Sequence, residues 1–216
     1  IVNGGSHGTS IVYGYATKET REFLPRAYVY AQTIAKRLHE LRKHDSKFSF
    51  LLPDGKVQIA LDGEKVISIA LSVQHKDLID ITQLKSMIIS SVIEPTIGDI
   101  EHVKMFMNSA GSFCGGGFAA CGGASGRKQL SATYGGLLPS GGASFAGKDP
   151  YQPARCGMYM SRFVAKNLVA RGVSGNVLVH VGYTLGAAQP TFLRVMNGKG
   201  EDITESTTKE FDFRPE

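Results

Sequence analysis

The chain has 216 residues, 42% of them hydrophobic, with a net charge of +5 and a pI near 9.1, which is enough apolar side chain for one large or two small cored domains and gives no sign of disorder. The basic balance suits anionic ligands, but no Lys/Arg run exceeds two residues and aromatic residues are not interleaved with basic ones, which argues against nucleic acid. No apolar run approaches membrane-spanning length and no signal peptide is read at the start, while three cysteines, Cys114, Cys121 and Cys156, lack metal-ligand pairing with the histidines; a reduced, cytoplasmic setting is expected. The chain opens on Ile1 rather than Met, as a processed chain or a piece of a longer one would.

Gly4–Gly8 reads as a loop leading into the apolar Ile11–Tyr15. From Pro25 to Lys43, Ala27, Ala31, Ile34, Leu38 and Leu41 recur at helical spacing, with Pro25 where a missing N–H costs nothing. Val57, Ile59 and Leu61 alternate as a strand, Asp62–Gly63 predicts a hairpin turn, and Val66–Val73 continues as a more buried strand. Ile81, Leu84, Ile88 and Val92 predict a second helix that stops before Pro95, and Val103–Met107 a short strand.

Residues 156–171 read as a helix with Cys156, Met160, Phe163 and Leu168 on one face and Gly172 past its end. Val177, Val179, Val181 and Tyr183 alternate as a strand, Phe192–Met196 returns, and the polar stretch after Ile203 reads as a further helix. Helix, strand pair, helix thus occurs twice, about 130 residues apart. The expected class is α+β, with pseudo-symmetric repeats of antiparallel sheet carrying helices on one face, so the opposite faces need a covering domain or subunit. The expected division is a first repeat over 1–107, a glycine-rich segment over 108–155 and a second repeat over 156–216.

The glycine-rich segment is where chemistry is expected, because 12 of the 26 glycines fall within the 43 residues Asn108–Pro150. Such density suits backbone that turns tightly or approaches a ligand closely. Arg127, Lys128, Lys148 and Arg155 stand among these glycines, and backbone N–H groups with fixed cations make a polyphosphate site; a solvated glycine-rich loop is the plain alternative. Gly142 to Lys148 has P-loop spacing up to the lysine. Asp149 then replaces the Mg²⁺-binding Ser/Thr, and Pro150 and Pro153 interrupt the helix that should follow.

A broader pattern runs from about Ser6 to Pro215. It comprises Gly14-Tyr-Ala-Thr-x-Glu-Thr20, Leu41-Arg-Lys43, Pro53-Asp-Gly-Lys56, Leu71-Ser-x-Gln-His75, Gly126-Arg-Lys128, Thr133-Tyr-Gly-Gly136, Phe145-Ala-Gly-Lys-Asp-Pro150, Val164-Ala-Lys-Asn167 and Phe211-Asp-x-Arg-Pro215. In order and spacing it resembles the methionine adenosyltransferases, the S-adenosylmethionine synthetases. The resemblance implies three pseudo-symmetric α+β repeats, active sites between subunits packed sheet to sheet, ATP and L-methionine as substrates, and Mg²⁺ and K⁺ as cofactors. The family's N-terminal segment, with its metal-binding His and Asp, and the segment after Arg-Pro have no counterpart in these residues.

By resemblance, Lys56, Arg127, Lys128 and Lys148 bind the triphosphate and stabilise the departing polyphosphate, Phe113 stacks on adenine, and Asp54, Gly55 and Ser144 complete the nucleotide site. No metal ligand is assigned. Several family site residues, acids among them, are replaced: Gly-Arg-Phe is Gly111-Ser112-Phe113, the Gly-Asp before Arg-Lys is Ala120-Cys121, the Asp before Thr-Tyr-Gly-Gly is Ala132, His-Gly-Gly is Ser140-Gly-Gly, and Lys-x-Asp is Gln152-Pro153-Ala154. The family's Gly-Asp-Gln-Gly falls over Ser6–Ser10, which holds no carboxylate. Three readings follow: a methionine adenosyltransferase subunit, a homo-oligomer or paired with a longer homologue that supplies the acids; a non-catalytic scaffold or regulatory subunit keeping a polyphosphate site; and an unrelated ATPase using the near-P-loop.

Overall fold

The computed structural model describes residues 4–77, 79–123, 128–141 and 146–215. In chain order the elements are β1 (Ser10–Thr17), α1 (Arg26–His44), β2 (Leu51–Asp62), β3 (Lys65–His75), α2 (Ile81–Ile88), a π-helical turn (Ile89–Ile93), α3 (Glu94–Ile97), β4 (Lys104–Met107), α4 (Gln129–Thr133), α5 (Cys156–Ala170), β5 (Asn176–Tyr183), β6 (Phe192–Asn197) and α6 (Thr204–Thr208). They form two compact units, Arg26–Gly123, and Ile1–Pro25 with Ala124–Glu216. The helix, strand pair, helix order appears as α1-β2-β3-α2 in one and α5-β5-β6-α6 in the other.

In the unit Arg26–Gly123 the sheet order is β2-β3-β4. Ile69, Leu71 and Val73 alternate inward on β3 and meet Ile34 of α1, Leu84 and Ile88 of α2, and Val92 and Ile93 of the π turn in one core. Asp62 pairs with Lys65, so the turn is Gly63–Glu64, and Gly63 takes the positive φ of 56° that only glycine adopts without strain. β4 lies parallel to β3, unlike the antiparallel arrangement expected, because the chain crosses over through α2 and α3 before pairing.

The helical path does not stop before Pro95. It widens into the π turn and continues as α3 with Pro95 in its first turn. Proline has no N–H for the carbonyl four residues earlier, that of Ser91, and this carbonyl instead accepts from Arg37 Nε of α1. The orphaned acceptor that should end a helix is satisfied by a neighbouring one.

In the other unit the order is β1-β5-β6, all antiparallel, so the first strand of the sequence pairs with a strand near its end, Ser10 opposite Tyr183 through Thr17 opposite Asn176. Val177, Val179, Val181 and Tyr183 face inward with Val12, Ala16 and Val195. α5 covers them with a face only partly the one expected: Leu168 is buried and Met160 packs on the core, but Gly157, Met158, Ser161, Val164, Ala165 and Val169 make up the rest, while Phe163 is 55% exposed and stacks edge-on with Phe211. The small residues allow contact that bulky ones would block. A Cβ on Gly14 would lie 2.1 Å from the Ser161 carbonyl carbon, and one on Gly157 2.6 Å from the Tyr183 ring. Helix α5 ends as expected at Gly172 (φ 82°) in a Schellman motif, with Gly172 N–H donating to Val169 O and Val173 N–H to Leu168 O.

The uncovered sheet faces differ in character. On β1-β5-β6, Tyr13 stacks on His180 at 4.3 Å and His180 meets Phe192 edge-on at 4.7 Å, with Ile11 and Phe192 about half exposed. His180 Nε2 is buried with no hydrogen-bond partner among the described residues, and burial lowers the His180 pKa. On β2-β3-β4 the outward positions are Lys56 opposite Ser72, Gln58 and Phe106 on either side of Ala70, and Lys104 opposite Ser68, a more polar surface with one exposed aromatic ring, that of Phe106, beneath the Lys104 ammonium. Among the described residues no helix is long and apolar enough to cross a membrane.

Candidate nucleotide and polyphosphate site

Lys56 lies on β2, just past an irregularity that sets the site's geometry. Leu51 pairs with His75 and Gly55 with Val73, so three residues of β2 stand opposite Gln74 alone. The excess chain carries Asp54 off the ladder, and its N–H donates to Gln74 Oε1 at 3.1 Å. The Asp54 carboxylate accepts from Gly55 N–H at 2.8 Å through Oδ1 and from Gly117 N–H at 2.9 Å through Oδ2. Gly55 is required there, since a Cβ would lie 2.9 Å from Ser72 O. Lys56 itself is exposed, and none of the ion pairs among the described residues includes it.

The glycine-rich segment enters this unit through Asn108, one of two described non-glycine residues with positive φ, at 42°. Its N–H bonds Leu71 O, and its buried side-chain amide accepts from Val73 N–H at 2.8 Å and donates to Val73 O at 3.0 Å. The amide substitutes for a peptide group, extending the ladder beyond β4 while the main chain turns away. Phe113, half-buried, is held by buried His75, whose backbone N–H donates to Phe113 O at 3.0 Å and whose Nε2 accepts from Phe113 N–H at 3.1 Å. Since Nε2 accepts, the ring proton is on Nδ1, 2.8 Å from Lys76 O. Gln74 Nε2 donates to Cys114 O at 3.0 Å. Desolvation, then the Asp77 carboxylate beside it, raises the Cys114 thiol pKa. In this unit the structure therefore brings Asp54, Gly55 and Phe113 into one hydrogen-bonded frame next to Lys56.

In the other unit, Lys128 is exposed at the start of α4 and Lys148 is half-buried. No ion pair among the described residues includes either. Arg127 and Ser144 lie outside the described residues, as do Gly142, Ala143 and Phe145 of the near-P-loop. The next helix after Lys148 is α5, beginning at Cys156, and Arg155 donates to the Lys148 carbonyl, so this arginine braces the loop. Tyr134 Oη accepts from Tyr15 N–H at 2.9 Å on the open edge of β1, and Gly141 (φ 71°) lies so close that a Cβ would be 2.4 Å from Ile11 O. The glycines and tyrosine here serve close approach to a strand.

Two of the stretches that lost family acids touch each other. Gly8 packs on Gln152, where an added Cβ would stand 2.5 Å from Gln152 Oε1, and His7 Nδ1 lies 3.3 Å from Asp149 Oδ1, which also accepts from Tyr151 N–H. Ala154 is buried, whereas Ser112, Cys121 and Ala132 are exposed. Among the described residues no three His, Cys, Asp or Glu side chains are grouped to hold a metal.

Several residues that carry this geometry had no role from sequence. Gln74 and His75 were visible only as motif letters, Asn108 only as an Asn before glycines, and Arg162 only as a helix cation. Arg162 donates to Tyr15 O at 2.6 Å, Phe23 O at 2.9 Å and Glu22 O at 2.8 Å, and its burial lowers its pKa.

Comparison with known proteins matches this arrangement to one family across the chain. The profile of the S-adenosylmethionine synthetase central domain matches residues 3–113, and that of the C-terminal domain residues 115–216. S-adenosylmethionine synthases of Pseudothermotoga lettingae and Petrotoga mobilis are each 38% identical over 98% of the chain, which spans 57% and 56% of their lengths. A solved S-adenosylmethionine synthetase from Campylobacter jejuni, described as unusual, shares the fold with a TM-score of 0.88 at 24% identity, covering 98% of this chain and 60% of that one. With both domain profiles matched end to end and the hairpin, glycine segment and second repeat in family order, the chain belongs to the S-adenosylmethionine synthetase family.

Proposed function

We propose that this chain is part of a methionine adenosyltransferase, forming S-adenosylmethionine from ATP and L-methionine and then hydrolysing the displaced tripolyphosphate with one water to phosphate and pyrophosphate. The observation that carries the reading is the 38% identity over nearly the whole chain to proteins named S-adenosylmethionine synthase. Their activity belongs to longer proteins, of which this chain matches somewhat under 60%. The methionine thioether is neutral and already nucleophilic, so displacement at the 5′ carbon of ATP needs no general base; alignment and stabilisation of the leaving polyphosphate do the work. Lys56, Arg127, Lys128 and Lys148 are the groups assigned to that charge, and Phe113 to the adenine.

The acids that would hold the methionine ammonium come, in this reading, from a longer homologue that retains them and shares the site in the cytoplasm, since a second copy carries the same replacements. Mg²⁺ and K⁺ are implied by the family, but the described donor set does not fit a divalent ion, and no step is assigned to one on these residues. The replacement of acids by Cys121, Ala132 and Ala154 favours a second reading, a non-catalytic subunit that binds nucleotide or polyphosphate. Assay of S-adenosylmethionine formation by the chain alone and with a co-purifying family homologue separates them. Product from the mixture but not from the single chain supports the shared site; inactivity of both, with no rate gain on mixing, contradicts it.

A further inference from the structure

We propose that Gln74 is a positioning residue that braces the adenine-facing Phe113 and the phosphate-facing Lys56 as one platform. The inference rests on the nucleotide reading above and adds a coupling between its two ends.

Gln74 is 6% exposed and uses both ends of its amide: Oε1 takes Asp54 N–H, two residues before Lys56, and Nε2 donates to Cys114 O, one residue after Phe113. A buried amide with donor and acceptor both occupied is held in one orientation, so strand β2 and the glycine-rich segment share one fixed point. Asp54 closes the circuit through Gly117 N–H, with both carboxylate oxygens occupied by backbone donors. The fit is tight: a Cβ on Gly116 would stand 2.8 Å from the Gln74 amide carbon and 3.1 Å from Asp54 Oδ2. His75 holds Phe113 independently through two bonds, and Lys56 keeps its ladder partner Ser72. Both anchors lie on β3, so loss of Gln74 leaves each end in place and removes only the brace that ties the Asp54 turn to the glycine-rich segment. Only a ligand that spans both ends is sensitive to that.

The test is calorimetric titration of the purified protein with ATP, with adenosine and with inorganic tripolyphosphate, for wild type, Gln74→Met and Gln74→Glu. The Met variant keeps the volume and loses both bonds; the Glu variant keeps an acceptor for Asp54 N–H but faces Cys114 O with a second acceptor. The expected result is ATP binding weakened about tenfold or more, with adenosine and tripolyphosphate each changed less than about threefold. A merely structural role would lower the melting temperature without this split. If wild type binds ATP and Gln74→Met binds all three ligands like wild type, or if the ATP loss equals the product of the two partial losses, the positioning role is overturned. If wild type does not bind ATP, the nucleotide reading fails and takes this role with it. Should both Gln74 variants fail to fold, Asp54→Asn, which removes an acceptor of Gly117 N–H from a half-buried position, is expected to give the same split, and wild-type behaviour there overturns the proposal.

Discussion

Asn108 shows how much of the site's geometry rests on single polar side chains. Removing its amide leaves Val73 N–H and C=O buried without partners, and each unsatisfied group costs about 1–3 kcal/mol. Asn108→Ala should therefore destabilise the protein by about 2–4 kcal/mol, read from chemical denaturation; a loss under about 0.5 kcal/mol would contradict the ladder-extending role. Tyr183 carries a pH dependence. Burial, with the Cys156 and Asp212 charges, raises its pKa well above 10, and its Oη donates to Phe213 O. A folded pKa above the unfolded one means the folded state retains the proton longer, so stability is full below about pH 10 and falls by up to about 1.4 kcal/mol per pH unit above it. Denaturation midpoints measured from pH 9 upward should fall in wild type and flatten in Tyr183→Phe, which has no phenol to ionise.

Among the elements, the strands were legible because alternation is a direct consequence of one buried face: Val177, Val179, Val181 and Tyr183 are all buried. The face of α5 was not. Reading bulk as inward selected Phe163, whereas the chain uses small residues, Gly14 on β1 to admit the backbone of α5 at Ser161 and Gly157 on α5 to admit the Tyr183 ring. Apolar periodicity carries no signal for that contact. Gly14→Ala should cost about 3 kcal/mol or more, since the obstructing atoms are main chain and cannot rotate away; a wild-type melting temperature would refute the close packing. The passage of the helix through Pro95 was equally hidden, because the donor replacing the missing N–H comes from Arg37, 54 residues from the Ser91 acceptor in sequence. The site's phosphate-side residue types were readable through family motifs, but the frame that aims them, Gln74, His75 and Asn108, depends on long-range hydrogen bonds that spacing alone does not encode.

For the whole molecule, the aromatic outer face of β1-β5-β6, with Ile11 and Phe192 about half exposed and His180 Nε2 unpaired among the described residues, needs a cover. Light scattering at micromolar concentration should report a dimer or larger; a monodisperse monomer would count against a shared active site. The central claim, that this chain supplies the cationic side of a polyphosphate site, is tested most directly by calorimetric titration of tripolyphosphate into the purified assembly for wild type and for alanine variants of Lys56, Arg127, Lys128 and Lys148. Each charge-assisted contact contributes about 1.5–3 kcal/mol, so each variant should bind roughly ten- to a hundredfold more weakly, and Arg127→Lys should also lose affinity as a planar fork becomes a point charge. Wild-type affinity in all four alanine variants, or no binding to wild type at millimolar tripolyphosphate, would contradict the account.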